Sequence, residues 1–323
     1  MTSDVLCLRP EADFTRVDAP APPSLRVAYR KPDDADVPAL LRAAGALVIP
    51  AVGPKLAASL FDGACLKLVQ VTGAGLDRLD RDALVRLGIP VANVSGGSNE
   101  ALADYAVTAA SLLLRRFVWA DAEIRNGNYA AFRARMLADN LAGLDGLTVG
   151  IVGFGTIGRA VAQAFHRRGC RICYFDPIPR DAAAMGADAM PLADLLQVAD
   201  VVSLHVPLLP ETTSLIGVDE LRRMKPNAVL IQASRGGVVD EAALAAHLAA
   251  GAIAGAAVDV FSTEPPAADN PLLRLQGDGA RRLLLTPHIA GVTRQSWTGL
   301  FRRAWENVER VLLHGEPPRD RAY

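Results

Sequence analysis

The sequence predicts an α/β protein with two doubly wound parallel-sheet domains, and three observations predict it. Short apolar runs of strand length alternate with helix-period runs on either side of a long helical segment. At 147–158 an apolar run breaks into a glycine-rich turn that opens a helix. Polar residues follow several later apolar runs directly, at the strand ends where open parallel sheets bind ligands.

The first alternating series runs from Val5 to Val94. Its strand candidates include 47–49, 66–71 and 89–94. Helical patterns lie at 37–44 and 81–87, the latter stopped by Gly88. The stretch 10–24 holds four prolines and reads as irregular. Residues 99–118 are Ala- and Leu-rich with no Gly or Pro, and read as one long helix connecting two domains. The second series supplies strand candidates at 147–152, 171–175, 201–206, 228–233, 256–260 and 283–285, the six strands of a full dinucleotide-binding sheet. A last helix, 292–313, ended by Gly315 and two prolines, is expected to return to the first domain. The expected division is 1–100 with 290–323, interrupted by 101–289.

The glycine turn reads Gly153-Phe154-Gly155-Thr156-Ile157-Gly158. Gly153 permits the tight turn, Gly155 a close approach of phosphate, and Gly158 close helix–strand packing, with a diphosphate at the helix's positive end. A second apolar strand follows and ends in Asp176, 18 residues beyond Gly158. A carboxylate at that distance suits an adenosine ribose hydroxyl. The pattern therefore predicts a dinucleotide cofactor.

Composition narrows the class. Half the residues are hydrophobic and the net charge is −1, as in an ordinary globular protein. The 34 basic residues are scattered and matched by 35 acids, which argues against a nucleic-acid partner. No apolar stretch reaches membrane-spanning length and the N-terminus lacks a signal-peptide pattern, so the cytoplasm is expected. Cys170 and Cys173 form a CxxC, but they enter a strand rather than open a helix and have no second ligand pair. They read as core residues, and no metal is expected.

Three polar residues follow strands of the second series: Arg235, Glu264 and His288. Arg offers a rigid fork for a carboxylate. His offers a proton near neutral pH, and Glu a partner to orient it. Taken singly, each has an ordinary reading as a turn cap, a solvated loop acid or a packed histidine. Together beside a dinucleotide they are the parts needed to reduce a 2-keto acid.

At this point the chain resembles the NAD-dependent D-isomer-specific 2-hydroxyacid dehydrogenases over nearly its whole length. The motifs are GFGTIGR at Gly153, HVPLLPETTSLIG at His205, SRGGVVDEAAL at Ser234, AAVDVFSTEP at Ala256 and TPHIAG at Thr286. In the first domain, VTGAGLDRLD at Val71 resembles the substrate loop, and NVSGGSNEALADYAV the entry to the connecting helix. The resemblance implies a Rossmann NAD-binding domain inserted in a flavodoxin-like substrate domain, with a cleft between them. It implies Arg235 and the backbone of Gly73, Ala74 and Gly75 on the substrate carboxylate. His288 becomes proton donor and acceptor, and Glu264 its hydrogen-bond partner. Thr156 and Ile157 then contact the diphosphate and Asp176 the ribose, while Val206, Ala233 and Asp259 line the adenosine and nicotinamide ends. It also implies a homodimer built through 121–143, a stretch carrying Tyr129, Phe132, Met136 and Leu137.

This sequence departs from the family pattern in places. Asp104 stands for a usual Glu, Ala106 for a common Thr, Gln232 for the usual Asn, and Tyr129 for a frequent Trp. Pro50 and a chain stopping at Tyr323 argue against a phosphoglycerate substrate. The competing expectation is a non-catalytic NAD-sensing interaction protein of the same fold. A formate-oxidising relative carries Gln at the Glu264 position, and a methyltransferase with a GxGxxG loop has no need of the strand-end Arg, Glu and His. Asp176 favours NAD over NADP, with Arg180 nearby to offset that preference.

Overall fold

The computed structural model describes residues 4–139, 141–180 and 186–323. In chain order the first elements are β1 (Val5–Cys7), α1 (Glu11–Arg16), β2 (Val27–Tyr29), α2 (Val37–Ala43), β3 (Ala46–Ile49), β4 (Leu68–Val71), α3 (Arg81–Arg86) and β5 (Val91–Ala92). There follow α4 (Asn99–Leu114), α5 (Phe117–Arg125), α6 (Tyr129–Ala138), β6 (Thr148–Val152), α7 (Thr156–His166), β7 (Arg171–Phe175), β8 (Asp188–Ala189), α8 (Leu192–Val198) and β9 (Val201–Leu204). The chain closes with α9 (Val218–Arg223), β10 (Val229–Gln232), α10 (Glu241–Ala249), β11 (Gly255–Val258), α11 (Gly277–Arg281), β12 (Leu283–Leu285) and α12 (Arg294–Leu313). Two compact units result, Met1–Ser98 with Val292–Tyr323, and Asn99–Gly291.

The first unit is a five-stranded parallel sheet in the order β2-β1-β3-β4-β5, the flavodoxin-like order. Successive strand residues point to opposite faces, and both faces are covered. Val5, Cys7, Ala46, Val48 and Leu68 thus join one core with α12, while Leu6, Leu47, Ile49, Val69 and Val71 join another with α2 and α3. The α12 stripe buries Leu300, Phe301, Ala304, Trp305 and Val308. Its start is fixed by Thr293, whose hydroxyl accepts from the Ser296 N–H at 3.1 Å. Phe14 packs against Phe301 and Trp305 with tilted rings, their centroids 4.6 and 5.1 Å from its own. The stretch 10–24 is therefore not wholly irregular. It contains α1, whose Phe14 anchors a short helix that four nearby prolines obscured.

The second unit is a seven-stranded parallel sheet in the order β12-β11-β10-β9-β6-β7-β8, the Rossmann order with one added strand. The strand beyond the Rossmann six is β12, at one edge; the opposite edge strand β8 has only two residues, both exposed, and so gave no apolar signal. α4 and α7 cover one face through Ala103, Ala106, Ala110, Val161 and Phe165. α8, α9 and α10 cover the other through Leu195, Leu221, Leu244 and Leu248. The helix expected over 99–118 is two helices: Arg116 adopts a left-handed φ of 51° and starts α5 in a new direction. Cys170 and Cys173 belong to opposite cores of this sheet. Burial raises both thiols to about 11, consistent with packing residues.

Phe301 is fully buried at the centre of the aromatic cluster. Phe301→Ala is expected to lower the unfolding free energy by about 3–5 kcal/mol. Urea denaturation followed by the fluorescence of Trp297 and Trp305 checks this. A loss below about 1 kcal/mol would show that α12 does not organise this core.

Candidate active site

The register of the second sheet sets the site. Phe175, Val152, Leu204, Gln232, Val258 and Leu285 pair in one row across six strands. All six strands therefore end level, and the residues that follow form one edge. Along it come Asp176, then Gly153, Val206, Ala233 with Arg235, Asp259 with Glu264, and Thr286 with His288. Strands lie about 4.8 Å apart, so β12 stands about 19 Å along this edge from the glycine turn. Strand order reverses between β6 and β9, which makes their ends the ligand-binding crevice.

The glycines sort by what surrounds them. Gly153 has a φ of 90°, and a Cβ there would lie 2.5 Å from the His205 carbonyl oxygen. A Cβ on Gly158 would lie 2.0 Å from the Gly153 oxygen, so only glycine lets α7 sit this close to β6. Gly155, the N-cap of α7, differs: a Cβ there meets no protein atom within 4 Å. Protein packing does not require this glycine, whereas a cradle for a diphosphate at a helix N-terminus does. Thr156 is exposed at the first position of that helix, and Val206 abuts the turn. These residues fit a dinucleotide.

Asp176 follows β7 on this edge. Burial pushes its carboxyl up, but the N–H groups of Ile178 and Phe154 and the Arg180 guanidinium outweigh this and hold it below the usual carboxylate range. Oδ2 accepts from Phe154 N at 2.8 Å and Arg180 Nε at 3.2 Å, and Oδ1 from Ile178 N at 2.9 Å. A carboxylate accepts about four bonds, which leaves Oδ1 a place for a further donor such as a ribose hydroxyl.

Arg235 sits half-buried in a turn organised by Gln232. The Gln232 amide donates to the Arg235 carbonyl at 2.9 Å, and its oxygen accepts from the Ser234 hydroxyl at 2.7 Å. Gln in place of the usual Asn thus keeps both groups of a primary amide within reach of the turn. The Arg235 guanidinium donates to the Ser234 carbonyl at 2.8 Å. A Cβ on Gly236 would lie 1.8 Å from the Phe261 carbonyl oxygen, so this glycine brings the arginine turn against the segment leading to Glu264.

Glu264 and His288 meet. The Glu264 Oε2 lies 2.7 Å from His288 Nδ1, while Oε1 accepts from the Phe261 N–H at 3.1 Å. With Nδ1 taken, Nε2 is the imidazole nitrogen left to exchange a proton. His288 has a left-handed φ of 56°, unusual for a side-chain-bearing residue. Asp259 holds that segment. It is only 1% exposed, and its carboxylate accepts from Thr286 Oγ1 at 2.5 Å, Ile289 N at 2.8 Å and Ala290 N at 2.8 Å. Its carbonyl accepts from His288 N at 2.7 Å. The sequence placed Thr286 in this segment but gave neither its bond to Asp259 nor any link to Tyr105. The hydroxyls of the two lie 2.7 Å apart, and the one signal was a tyrosine in an Ala-rich helix.

Gly73, Ala74 and Gly75 follow β4 in the first unit, where the Ala74 carbonyl accepts from the Asn93 amide at 2.8 Å. A Cβ on Gly73 would lie 2.9 Å from that of Ala51. In the helical arm, Phe132 packs on Trp119 at 5.7 Å, whereas Phe117, Ile124, Tyr129 and Leu137 are exposed. Asn140, inside the 121–143 stretch, lies outside the described residues. Among the described residues no group of three His, Cys, Asp or Glu is arranged to hold a metal ion, and no helix is long and apolar enough to cross a membrane.

A doubly wound sheet with a glycine-rich turn at a helix N-terminus, an acid at the end of the next strand and a carboxylate-paired histidine on one edge defines a dinucleotide-dependent oxidoreductase. A family profile described as D-isomer specific 2-hydroxyacid dehydrogenase, NAD binding domain, matches residues 107–290. A glyoxylate reductase of Korarchaeum cryptofilum is 38% identical over 303 residues, covering 92% of this chain and 86% of the relative. Among solved structures, the TT0316 protein of Thermus thermophilus superposes with a TM-score of 0.84 at 31% identity over 99% of both chains. D-Lactate dehydrogenase of Aquifex aeolicus, complexed with NAD and lactic acid, gives a TM-score of 0.81 at 25% identity over 97% of this chain and 96% of that one. The chain belongs to the D-isomer specific 2-hydroxyacid dehydrogenase family and is an NAD-dependent oxidoreductase.

At the edge of this site, burial lowers the His205 pKa from 6.5 to about 4, and Ser203 Oγ sits 2.8 Å from its Nε2. The folded state thus holds this imidazole neutral. Its stability contribution is present above pH 6.5 and is lost as pH falls toward about 4. At about 1.4 kcal/mol per pKa unit, the loss is on the order of 3 kcal/mol. Thermal melts of His205→Gln are expected to show a shallower fall between about pH 7 and pH 4.5 than those of the native protein. Parallel slopes would contradict a His205 held neutral in the folded state.

Proposed function

We propose that this protein reduces a small 2-keto acid to the D-2-hydroxy acid, and catalyses the reverse oxidation, at the edge formed by the second sheet. The observation that carries the reading is the 2.7 Å pairing of His288 with Glu264, level with the glycine turn that cradles a dinucleotide. NAD(H), when bound, supplies or accepts the hydride at C2. Arg235 binds the substrate carboxylate in two parallel bonds and polarises the keto oxygen. His288 delivers a proton from Nε2 to that oxygen as it gains charge, and takes it back in oxidation. Glu264 fixes the ring through Nδ1 and stabilises the imidazolium that forms during oxidation.

The remaining roles belong to the same reading. Gly153, Gly155, Thr156, Ile157 and Gly158 hold the diphosphate, Asp176 the adenosine ribose, and Val206 and Ala233 the walls beyond. Asp259 contributes through the segment that carries His288. Backbone amides at Gly73, Ala74 and Gly75 give the carboxylate a second grip. The substrate class is that of the named relatives, glyoxylate and lactate being its small members. Asp176 accepts ribose hydroxyls and repels a 2′-phosphate, which favours NAD over NADP. The arm formed by α5 and α6 supports a homodimer, since five large apolar residues within 117–137 are exposed: Phe117, Val118, Ile124, Tyr129 and Leu137. Four free cysteines suit the reducing cytoplasm.

Arg235→Lys tests the assignment, because Lys keeps the charge and loses the fork. It is expected to raise KM, lower kcat, and reduce kcat/KM for keto acids about 10- to 100-fold, the equivalent of one charge-assisted hydrogen bond. NADH affinity should change less than about twofold. Unaltered keto-acid kinetics together with a lower melting temperature would make Arg235 a structural residue.

A further inference from the structure

We propose that Tyr105 is a positioning residue for proton transfer, acting on His288 through Thr286 and Asp259. The proposal rests on the reading of His288 as the proton donor.

The chain of contacts has a defined direction. Thr286 Oγ1 donates to Asp259 Oδ1 at 2.5 Å, and the Ile289 and Ala290 N–H groups donate to the same carboxyl group, so the Thr286 proton points at Asp259. The Thr286 oxygen is then free to accept, and Tyr105 Oη lies 2.7 Å from it. Tyr105 therefore donates. Burial raises its pKa to about 12, so the phenol keeps its proton throughout the range in which the enzyme works. The sequence Tyr105–Thr286–Asp259 runs from α4 to the base of the His288 segment.

Geometry gives the hydroxyl a consequence. Thr286, His288, Ile289 and Ala290 all bond to Asp259, by side chain or backbone. Backbone in the left-handed region persists only where its surroundings over-determine it. Without the Tyr105 hydroxyl, the Thr286 hydroxyl can rotate from the carboxylate toward other partners, and the first of those bonds loosens. His288 Nε2 then reaches the keto oxygen less often in a productive position. Tyr105 lies one residue before the Ala106 departure, and the buried residues of α4 are all Ala, Leu or Val, so the helix packs without a hydroxyl.

The test measures single-turnover oxidation of NADH by a keto acid in four proteins: native, Tyr105→Phe, His288→Asn, and the double variant. Tyr105→Phe is expected to slow turnover roughly 3- to 10-fold, the worth of one hydrogen bond, with NADH affinity unchanged. His288→Asn is expected to slow it about 100-fold or more. In the double variant, the tyrosine change should add less than about 1.5-fold, because nothing remains for it to position. Thr286→Val should behave like Tyr105→Phe and be non-additive with it. Equal effects of Tyr105→Phe in the native and His288→Asn backgrounds would overturn the proposal, as would a native rate in Tyr105→Phe. A near-native rate in His288→Asn would instead remove His288 as the donor, and this proposal with it.

Discussion

The reactive end of this protein depends on one buried carboxylate. Asp259 gathers the segment from Thr286 to Ala290 around its two oxygens and its own carbonyl. Left-handed backbone at His288 costs on the order of 1–3 kcal/mol. A hydrogen bond to a charged group contributes about 1.5–3 kcal/mol, so three of them outweigh that strain. Burial raises the Asp259 carboxyl above its ordinary value, and the donors from Thr286, Ala290 and Ile289 and the nearby His288 only partly offset this. Those contacts hold the histidine in place.

Register and small residues do the rest. Because the sheet is parallel and its strands end in one row, residues far apart in sequence arrive on a single edge with no further device. Three close approaches then lock the edge: Gly153 against His205, Gly158 against Gly153, and Gly236 against Phe261. Each involves backbone rather than a flexible side chain, so neighbours cannot move aside. Alanine at any of them forces strand ends apart in the region where the ligand's length is measured out.

Much of this was legible in the sequence because parallel strands buried on both faces are written as uninterrupted apolar runs. β6, β7, β9, β10, β11 and β12 all announce themselves this way, and the glycine turn or polar residues soon after each give the edge. Elements that carry little buried surface were not legible. β2 and β8 are short edge strands, α1 hides among prolines, and the turn at Arg116 interrupts a helical pattern that continues on both sides. The candidate site followed the same rule. Arg235, Glu264 and His288 were visible from position along the chain. The contacts that orient them were not, because Thr286 and Tyr105 act through hydrogen bonds across elements, which no spacing encodes, and Gln232 through side-chain bonds inside its own turn.

The account stands on hydride delivery to C2 with a proton from one side. A 2-keto acid of three or more carbons, reduced with NADH fully deuterated at nicotinamide C4, tests it directly. The product is then examined by NMR for the position of deuterium and by chiral chromatography for configuration. One deuteron at C2 in a single D enantiomer is the predicted result. A product without deuterium at C2, or one containing both enantiomers in comparable amounts, would contradict it.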